Sequence, residues 1–505
     1  MKKKDDLFEL ISALSKSEKR YFKLFASFQK GEKNYLKLFE VMDGLREYDE
    51  KKLKKKLEGE KFVSLLSKEK ERLHRFIRRS LRSYHEKSNA QLQIKNLLKD
   101  VEIFYRKDLF KQCRKLLEQA KRMASRHENY TALLEIMEWY RLIWFHDSLQ
   151  FRQTYDIKQH INEQRTLLKN YMNLCDYYNL NISLYKLPIE KGYARTKQEL
   201  EKYQSIISNP LFKDNKQTLS SKASALFMHT YSAYHRLTGN TEQSYPYALK
   251  RMQIIESNDS IKNEISLYPW ALLDFIMILR ESKRYTECLK IIQKLRSYLE
   301  NSPDSMSHYR ILCYAMEVSI YIDTGEFDKS VKFIGSFDKT IKSVLNKSPN
   351  VNEYNMYLSF CRAYFGTGDY GNALKWANII INAGPKVRPD ILCFVKIINL
   401  IIHFELDNIE QINYFVISTY RFLLRKEHLY QFETVILHFI RKRLLKGMSN
   451  KELTEAFKEV RNTLVELFKD PHESKALEFF DFIAWLDSKI ENRSFAEIVK
   501  RKVKS

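Results

Sequence analysis

Residues 366–385 read Gly-Thr-Gly-Asp-Tyr-Gly-Asn-Ala-Leu-Lys-Trp-Ala-Asn-Ile-Ile-Ile-Asn-Ala-Gly-Pro, a turn-forming segment followed by an apolar segment. Small and apolar residues recur at helical spacing on both sides of the turn: Phe360, Cys361 and Tyr364 before it, and Ala373, Ala377 and Ile380 after it. This spacing predicts two amphipathic helices that face each other as a hairpin.

The pattern resembles that of the tetratricopeptide repeat family, in which Gly-Asp-Tyr joins two helices, alanine follows three residues later and proline closes the repeat. The resemblance is carried by Tyr364, Gly368, Asp369, Tyr370, Ala373 and Pro385. Cys361 stands where the family usually has glycine or alanine. The resemblance implies a right-handed α-α superhelix whose concave face holds a peptide or helix of a partner.

The same register recurs elsewhere, which indicates an array of hairpins. The further copies are Gly325-Glu326-Phe327 with Ser330, Arg284-Tyr285 with Cys288, Asn408-Ile409 with Ile412, and Leu109-Phe110 with Cys113. The residues at 285, 327, 370 and 409 lie 42, 43 and 39 residues apart, so the period is longer than the 34 of the standard repeat. Projection towards the amino terminus predicts turns near 153 and 197, and Thr238-Gly239-Asn240 is a further turn candidate.

Composition favours helices throughout the chain of 505 residues. Only 12 Gly and 9 Pro are present, too few for the many turns that a strand-rich fold requires. The 31 Phe and 31 Tyr are ample for a continuous core. We therefore predict an all-α fold, a solenoid with a small helical amino-terminal domain.

Positive charge is concentrated near the amino terminus. The formal net charge is +24, and residues 1–87 contribute +10 of it, with 25 basic and 15 acidic residues. Clustered positive charge favours acidic partners such as nucleic acid.

One helix predicted over residues 68–86 has its charges on a single face. Leu73, Phe76, Ile77, Leu81 and Tyr84 form its apolar side. The opposite side carries five cations at spacings of 4, 3, 4 and 3: Lys68, Arg72, Arg75, Arg79 and Arg82. Such a ridge is suited to a phosphate backbone, and the alternative is an ordinary solvated helix face.

The sequence predicts a cytoplasmic protein with reduced cysteines. Its 6 cysteines include no Cys-x-x-Cys pair. Asp5, Asp6 and Glu9 interrupt the apolar stretch that a signal peptide would need near the amino terminus. The apolar run of residues 391–404 is too short to span a bilayer.

Two short motifs suggest chemistry but have plainer interpretations. Residues 366–371 match the dinucleotide pattern Gly-x-Gly-x-x-Gly, but a helix precedes them where that motif requires a strand. His146-Asp147, with His127 and His160, suggests a metal-dependent hydrolase, but no second spaced aspartate accompanies it. We expect no catalytic residue, cofactor or metal.

We predict four domains: a basic helical domain in residues 1–87, irregular repeats in 88–256, hairpins in 257–447 and capping helices in 448–505. The first domain has short helices joined by short loops, which makes it similar to helix-turn-helix modules. The leading functional hypothesis is a non-enzymatic scaffold or adaptor that binds a partner peptide or helix. The alternative is a nucleic-acid-binding regulator in which the array acts as a sensor. No membrane partner is expected, and the sequence leaves the oligomeric state open.

Overall fold

A computed structural model describes residues 5–28, 34–86, 89–191, 194, 196–262, 264, 266–300, 307–345, 353–426, 429–444, 449–470 and 472–504. Within these ranges the secondary structure is entirely helical, which confirms the all-α prediction. The chain divides into two compact units, Met1–Tyr171 and Met172–Ser505. The finer division into four domains stays a prediction.

Unit 1 begins with short helices and continues with longer ones. Its helices are α1 (Asp6–Ala13), α2 (Lys16–Ser27), α3 (Asn34–Asp43), α4 (Glu50–Lys56), α5 (Leu66–Tyr84), α6 (Ala90–Tyr105), α7 (Phe110–Arg126), α8 (Tyr130–His146), α9 (Leu149–Thr154) and the first part of α10 (Ile157–Lys191). Ser15 and Glu18 form a capping box at the start of α2, in which each side chain accepts a hydrogen bond from the other residue's backbone amide.

Unit 2 contains the hairpin array and the carboxy-terminal helices. After α10 the helices are α11 (Lys197–Ile207), α12 (Ser221–Leu237), α13 (Thr241–Glu256), α14 (Asp259–Lys262), α15 (Leu267–Glu281), α16 (Tyr285–Glu300), α17 (Ser307–Asp323), α18 (Phe327–Leu345), α19 (Glu353–Gly366), α20 (Tyr370–Ala383), α21 (Pro389–Glu405), α22 (Ile409–Arg425), α23 (Gln431–Phe439), α24 (Asn450–Leu467), α25 (Phe482–Glu491) and α26 (Phe495–Lys504). Neighbouring helices pack in pairs, as in a helical solenoid.

The turns inside six hairpins share one backbone geometry. The residue two positions before each second helix has a positive φ of 56° to 88°, and these residues are Asp108, Gly239, Lys283, Gly325, Gly368 and Asp407. In each turn the next amide donates to the carbonyl five residues earlier, as Asp369 N does to Tyr364 O at 3.0 Å. This is the Schellman cap that ends many helices. The repeat therefore persists in the backbone even where the sequence lacks Gly-Asp-Tyr.

The residue three positions into each second helix lies at the helix crossing, and in five of the six hairpins it is small. The six residues are Cys113, Ser244, Cys288, Ser330, Ala373 and Ile412, and all are fully buried. The Cys288 Sγ contacts Ile276 O at 3.6 Å, and the Ser244 hydroxyl donates to Ser232 O at 2.8 Å. All 6 cysteines are free thiols. Cysteine is thus used here as a small, slightly polar core residue, as predicted.

Gly366 lies where no side chain fits. A Cβ atom at this position would come within 2.0 Å of the Phe327 ring, which is itself buried. Helices precede and follow residues 366–371, so the Gly-x-Gly-x-x-Gly match has no strand before it. Its glycines serve a tight helix crossing and a turn with positive φ at Gly368.

The period fails in the middle of the chain. The period predicts hairpin turns near 153 and 197, with two helices between them. Instead, the single helix α10 of 35 residues fills this interval. Pro188 lies inside the last turn of α10.

Buried ion pairs connect successive hairpins. The Asp323 carboxylate accepts hydrogen bonds from Arg280 at 2.5 and 3.1 Å and from Arg362 at 3.1 Å. Burial alone would raise the pKa of Asp323, but the two guanidinium groups outweigh it and hold that pKa below its ordinary value. These three residues come from three successive first helices, so each pair fixes one repeat against the next.

We expect Gly366→Ala to destabilise the protein by about 1–3 kcal/mol, because the added methyl group collides with the buried Phe327 ring. The matched control is Gly335→Ala in α18, where no atom lies within 4 Å of the new Cβ. This control should stabilise by up to ~1 kcal/mol, because alanine favours helix more than glycine does. Urea unfolding of both variants measures the difference, and equal stabilities would contradict the crossing geometry.

We expect the protein to lose stability as the pH falls below about 6.5, the ordinary pKa of histidine. His403 is buried, stacks on Phe415 with ring centroids 5.0 Å apart, and has its pKa lowered by burial. Because the folded state binds the proton less well than the unfolded state, acid favours unfolding. The melting temperature of His403→Phe should fall less between pH 7 and 5 than that of the parent. The same substitution at the exposed His438 is the matched control for the change of side chain.

Candidate interaction surfaces

The five predicted cations lie together on the solvent side of α5. Lys68, Arg75, Arg79 and Arg82 are exposed, and Arg72 is half-buried. The opposite side of the helix carries the buried residues Leu66, Leu73, Ile77 and Ser80. With a rise of 1.5 Å per residue, the cations form a ridge about 21 Å long. We call this surface the α5 ridge.

Aromatic rings of the domain core hold part of the ridge in place. Tyr35 of α3 stacks on Phe76 with ring centroids 4.7 Å apart and an interplanar angle of 6°. The Arg72 guanidinium lies over Tyr35 at 5.2 Å, and Arg79 lies over Phe76 at 5.9 Å. Cation–π contacts of this kind orient the guanidinium groups without neutralising them.

Carboxylates accompany only part of the ridge. Glu69 lies 3.6 Å from Arg72, and Glu71 lies 3.3 Å from Arg75. Exposed pairs of this kind contribute little binding energy and exchange readily for another anion. In the described part of the chain, no carboxylate lies within 4.0 Å of Lys68, Arg79 or Arg82. The ridge thus keeps most of its positive charge.

The predicted row of five cations does not include Arg78. This residue is exposed and lies at the edge of the ridge, next to Arg75 and Arg82. A strict alternation of 4 and 3 selects one row of a helix and omits its neighbour. A helical-wheel projection of the whole segment would have included it. The α5 ridge therefore presents six cations.

In unit 2, the chain's own carboxy-terminal segment packs against a surface formed by the first helices α19 and α21 and by the turn after α17. We call this surface the first-helix face. Phe365 of α19 packs edge-on against Phe480 at 4.9 Å and Phe495 at 5.3 Å. Phe480 and Phe495 stack on each other at 5.4 Å, and Phe327 adds a contact with Phe495 at 5.6 Å.

Polar contacts fix the same segment at several points. Trp485 is fully buried, and its Nε1 donates to Glu405 at 2.7 Å. The Glu473 carboxylate accepts from the backbone amides of Gln431 at 3.2 Å and Phe432 at 3.1 Å, at the start of α23. A buried carboxylate at a helix amino terminus satisfies donors that would otherwise be free.

Close approach of the backbones supports this arrangement. At Gly325, in the turn before α18, an added Cβ would meet the Lys500 backbone nitrogen at 3.0 Å. The covered face therefore extends from this turn to the end of α21. A partner helix cannot occupy it while α25 and α26 are docked.

The residues suggested for a hydrolase do not form a metal cluster. His146 lies edge-on to Tyr105 at 6.0 Å and stacks on Phe110 at 6.4 Å, and Asp147 forms an ion pair with Arg114. Over the residues that the structure describes, no group of three or more His, Cys, Asp or Glu side chains is placed to hold a metal ion. His146-Asp147 is thus explained as a helix end with a capping aspartate.

A second polar cluster lies deep between α10, α12, α13 and α15. His229 Nε2 is 2.9 Å from Asp274 and 2.9 Å from the Tyr185 hydroxyl, and Arg251 is 2.7 Å from Asp274. Burial, reinforced by the nearby Arg251, lowers the pKa of His229. The groups are enclosed and satisfy one another, so the cluster fixes helix packing.

Comparison of the sequence with protein-family models and with curated proteins finds no match. The resemblance to tetratricopeptide repeats therefore rests on the residue pattern, together with the paired packing of the helices. Among the described helices, none is both long enough and apolar enough to cross a bilayer.

Proposed function

We propose that the protein is a non-enzymatic interaction protein that binds a partner protein on the outward faces of its array. The observation that carries the proposal is the covered first-helix face. Phe480, Trp485 and Phe495 occupy the surface on which proteins of this architecture commonly hold a peptide. The surfaces left for a partner are those of the second helices.

The occupied face supports helix binding as a property of the array. It accommodates α25 and α26 through aromatic contacts and buried polar anchors, which are the elements of many helix-in-groove complexes. A stack of amphipathic hairpins also offers a long, rigid surface on its outer side. Rigid exposed helices lose little entropy when they bind, so they suit a scaffold.

Site-specific photo-crosslinking tests this proposal. A crosslinking amino acid replaces Tyr420 of α22 or Ile379 of α20, both exposed, in the tagged full chain expressed in its source cells. We expect one position to crosslink a defined protein reproducibly. The matched control places the same group at the exposed Tyr84 of unit 1. Identical background products at all three positions would refute the proposal.

A second candidate function, nucleic-acid binding through the amino-terminal domain, is favoured by the α5 ridge. Six exposed or half-exposed cations on one helix face match the spacing of a phosphate backbone better than scattered surface charge does. Tyr35 and Phe76 stack on each other and are therefore engaged within the domain. Backbone contact is thus a better match than stacking of single-stranded bases.

We expect Arg75→Gln/Arg79→Gln/Arg82→Gln to weaken binding of the full chain to a labelled DNA duplex. The slope of log affinity against log salt should become shallower by about three, roughly one for each phosphate that the variant no longer neutralises. Arg72 is left unchanged because it packs on Tyr35.

The matched control removes three exposed cations from α7 of the same unit, Lys111→Gln/Lys115→Gln/Arg122→Gln. It changes the net charge equally and should keep most of the binding. Equal losses in the two variants would reduce the effect to net charge alone, and the ridge would then be an ordinary solvated face. Helicity and melting temperature of both variants are compared with the parent.

A further inference from the structure

The outer face of α22 differs from the outer faces of α13, α16 and α20. Four large apolar side chains are exposed on it: Tyr414 by 73%, Leu424 by 58%, and Ile417 and Tyr420 by 45% each. In contrast, α13 and α16 expose no large apolar side chain, and α20 exposes only Ile379. We call the exposed side of α22 the α22 face.

The α22 face is rigid because the other side of the helix is part of the core. Ile412 and Leu423 are fully buried, and Val416 and Thr419 nearly so, against α21 and its neighbours. The exposed side chains recur at spacings of three and four residues, over about 15 Å of helix. They form a straight apolar strip, which packs well against a second helix.

Cations that have no carboxylate partner among the described residues flank this strip. Arg421, Arg425 and Lys426 are exposed at the end of α22, and Arg441 and Lys442 are exposed in the following π-helical turn, Ile440–Leu444, which contacts α22. Within the described ranges, none of the five has a carboxylate within 4.0 Å. Exposed cations elsewhere in the array commonly have one, as the pairs Arg284–Glu287 at 2.6 Å and Lys294–Glu256 at 2.5 Å illustrate.

We propose that the α22 face binds an amphipathic helix of a partner protein whose flanking residues are acidic. The apolar strip supplies the contact that excludes water, and the free cations select acidic flanks and raise the association rate. Glu410 is exposed at the opposite end of α22. The acidic residues of the partner should therefore lie towards the carboxyl end of α22.

Two other occupants suit this surface less well. A second copy of the chain, with its α22 parallel to the first, would place the same cations of the α22 face against each other, at a cost in free energy. A lipid surface usually receives a helix with a broad, deeply inserted apolar side, and here half of that side is committed to the core. A partner helix is the occupant that uses both the narrow strip and the cations.

Selection from a peptide library tests the inference on the full chain. The peptides are helices of about 18 residues with leucine at spacings of three and four, and with Glu, Lys, Gln and Ala mixed equally elsewhere. We expect Glu to be enriched over Lys beside the leucines. The selected peptides should bind the variant Ile417→Ser/Leu424→Ser roughly tenfold more weakly or worse.

Two further variants make the test specific. Ile379→Ser/Ile182→Ser removes two exposed apolar side chains outside the α22 face and should bind like the parent. Arg421→Glu/Arg425→Glu should shift the enrichment from Glu to Lys while helicity and melting stay unchanged. The inference fails if no peptide is enriched or if charge reversal leaves the enrichment unchanged. It also fails if Ile417→Ser/Leu424→Ser and Ile379→Ser/Ile182→Ser bind the selected peptides equally well.

Vesicles with about one-third anionic lipid provide the remaining arm. If the parent binds these vesicles and the Ile417→Ser/Leu424→Ser variant does not, the α22 face binds lipid and the inference is overturned. This inference rests on the proposed interaction function, but the two fail separately. Crosslinking of a partner from Ile379 and not from Tyr420 would uphold the function and place the partner elsewhere.

Discussion

The close crossing of the two helices in each hairpin is the constraint on which the array depends. At Cys288 and Ala373 a small, fully buried side chain lies where the second helix crosses the first, and between neighbouring hairpins Gly366 has no room for a methyl group beside Phe327. The left-handed residue in each turn directs the chain back at the angle that this crossing needs. Because both elements are local, each hairpin can form its geometry from its own residues, and stacking then buries the remaining apolar surface.

Aromatic packing at the carboxy terminus decides what the array presents to other molecules. Phe480 and Phe495 close over Phe365, and Trp485 enters the core beside Glu405. The segment thereby stabilises the first helices and removes them as a binding surface. An interaction protein built in this way must use its outward helices. An uncovered apolar strip on one of these helices is therefore a candidate binding site.

Charge is arranged differently inside and outside the molecule. Inside unit 2, carboxylates such as Asp323 and Asp274 lie between arginines, so that buried charges compensate one another. On α5 and α22, several cations have no such partner among the described residues. Since exposed cations can be paired at little cost, surfaces that leave them free are suited to an acidic ligand.

The sequence by itself determined the local units: the hairpin at residues 366–385, its period, the capping box at Ser15 and the row of cations on α5. Each depends on residues only a few positions apart, whose spacing is visible in the chain. The tertiary structure alone decided that Phe480 meets Phe365 and that α10 runs unbroken where repeats were expected. Contacts between residues a hundred positions apart depend on how whole helices stack, and helical periodicity contains no information about that.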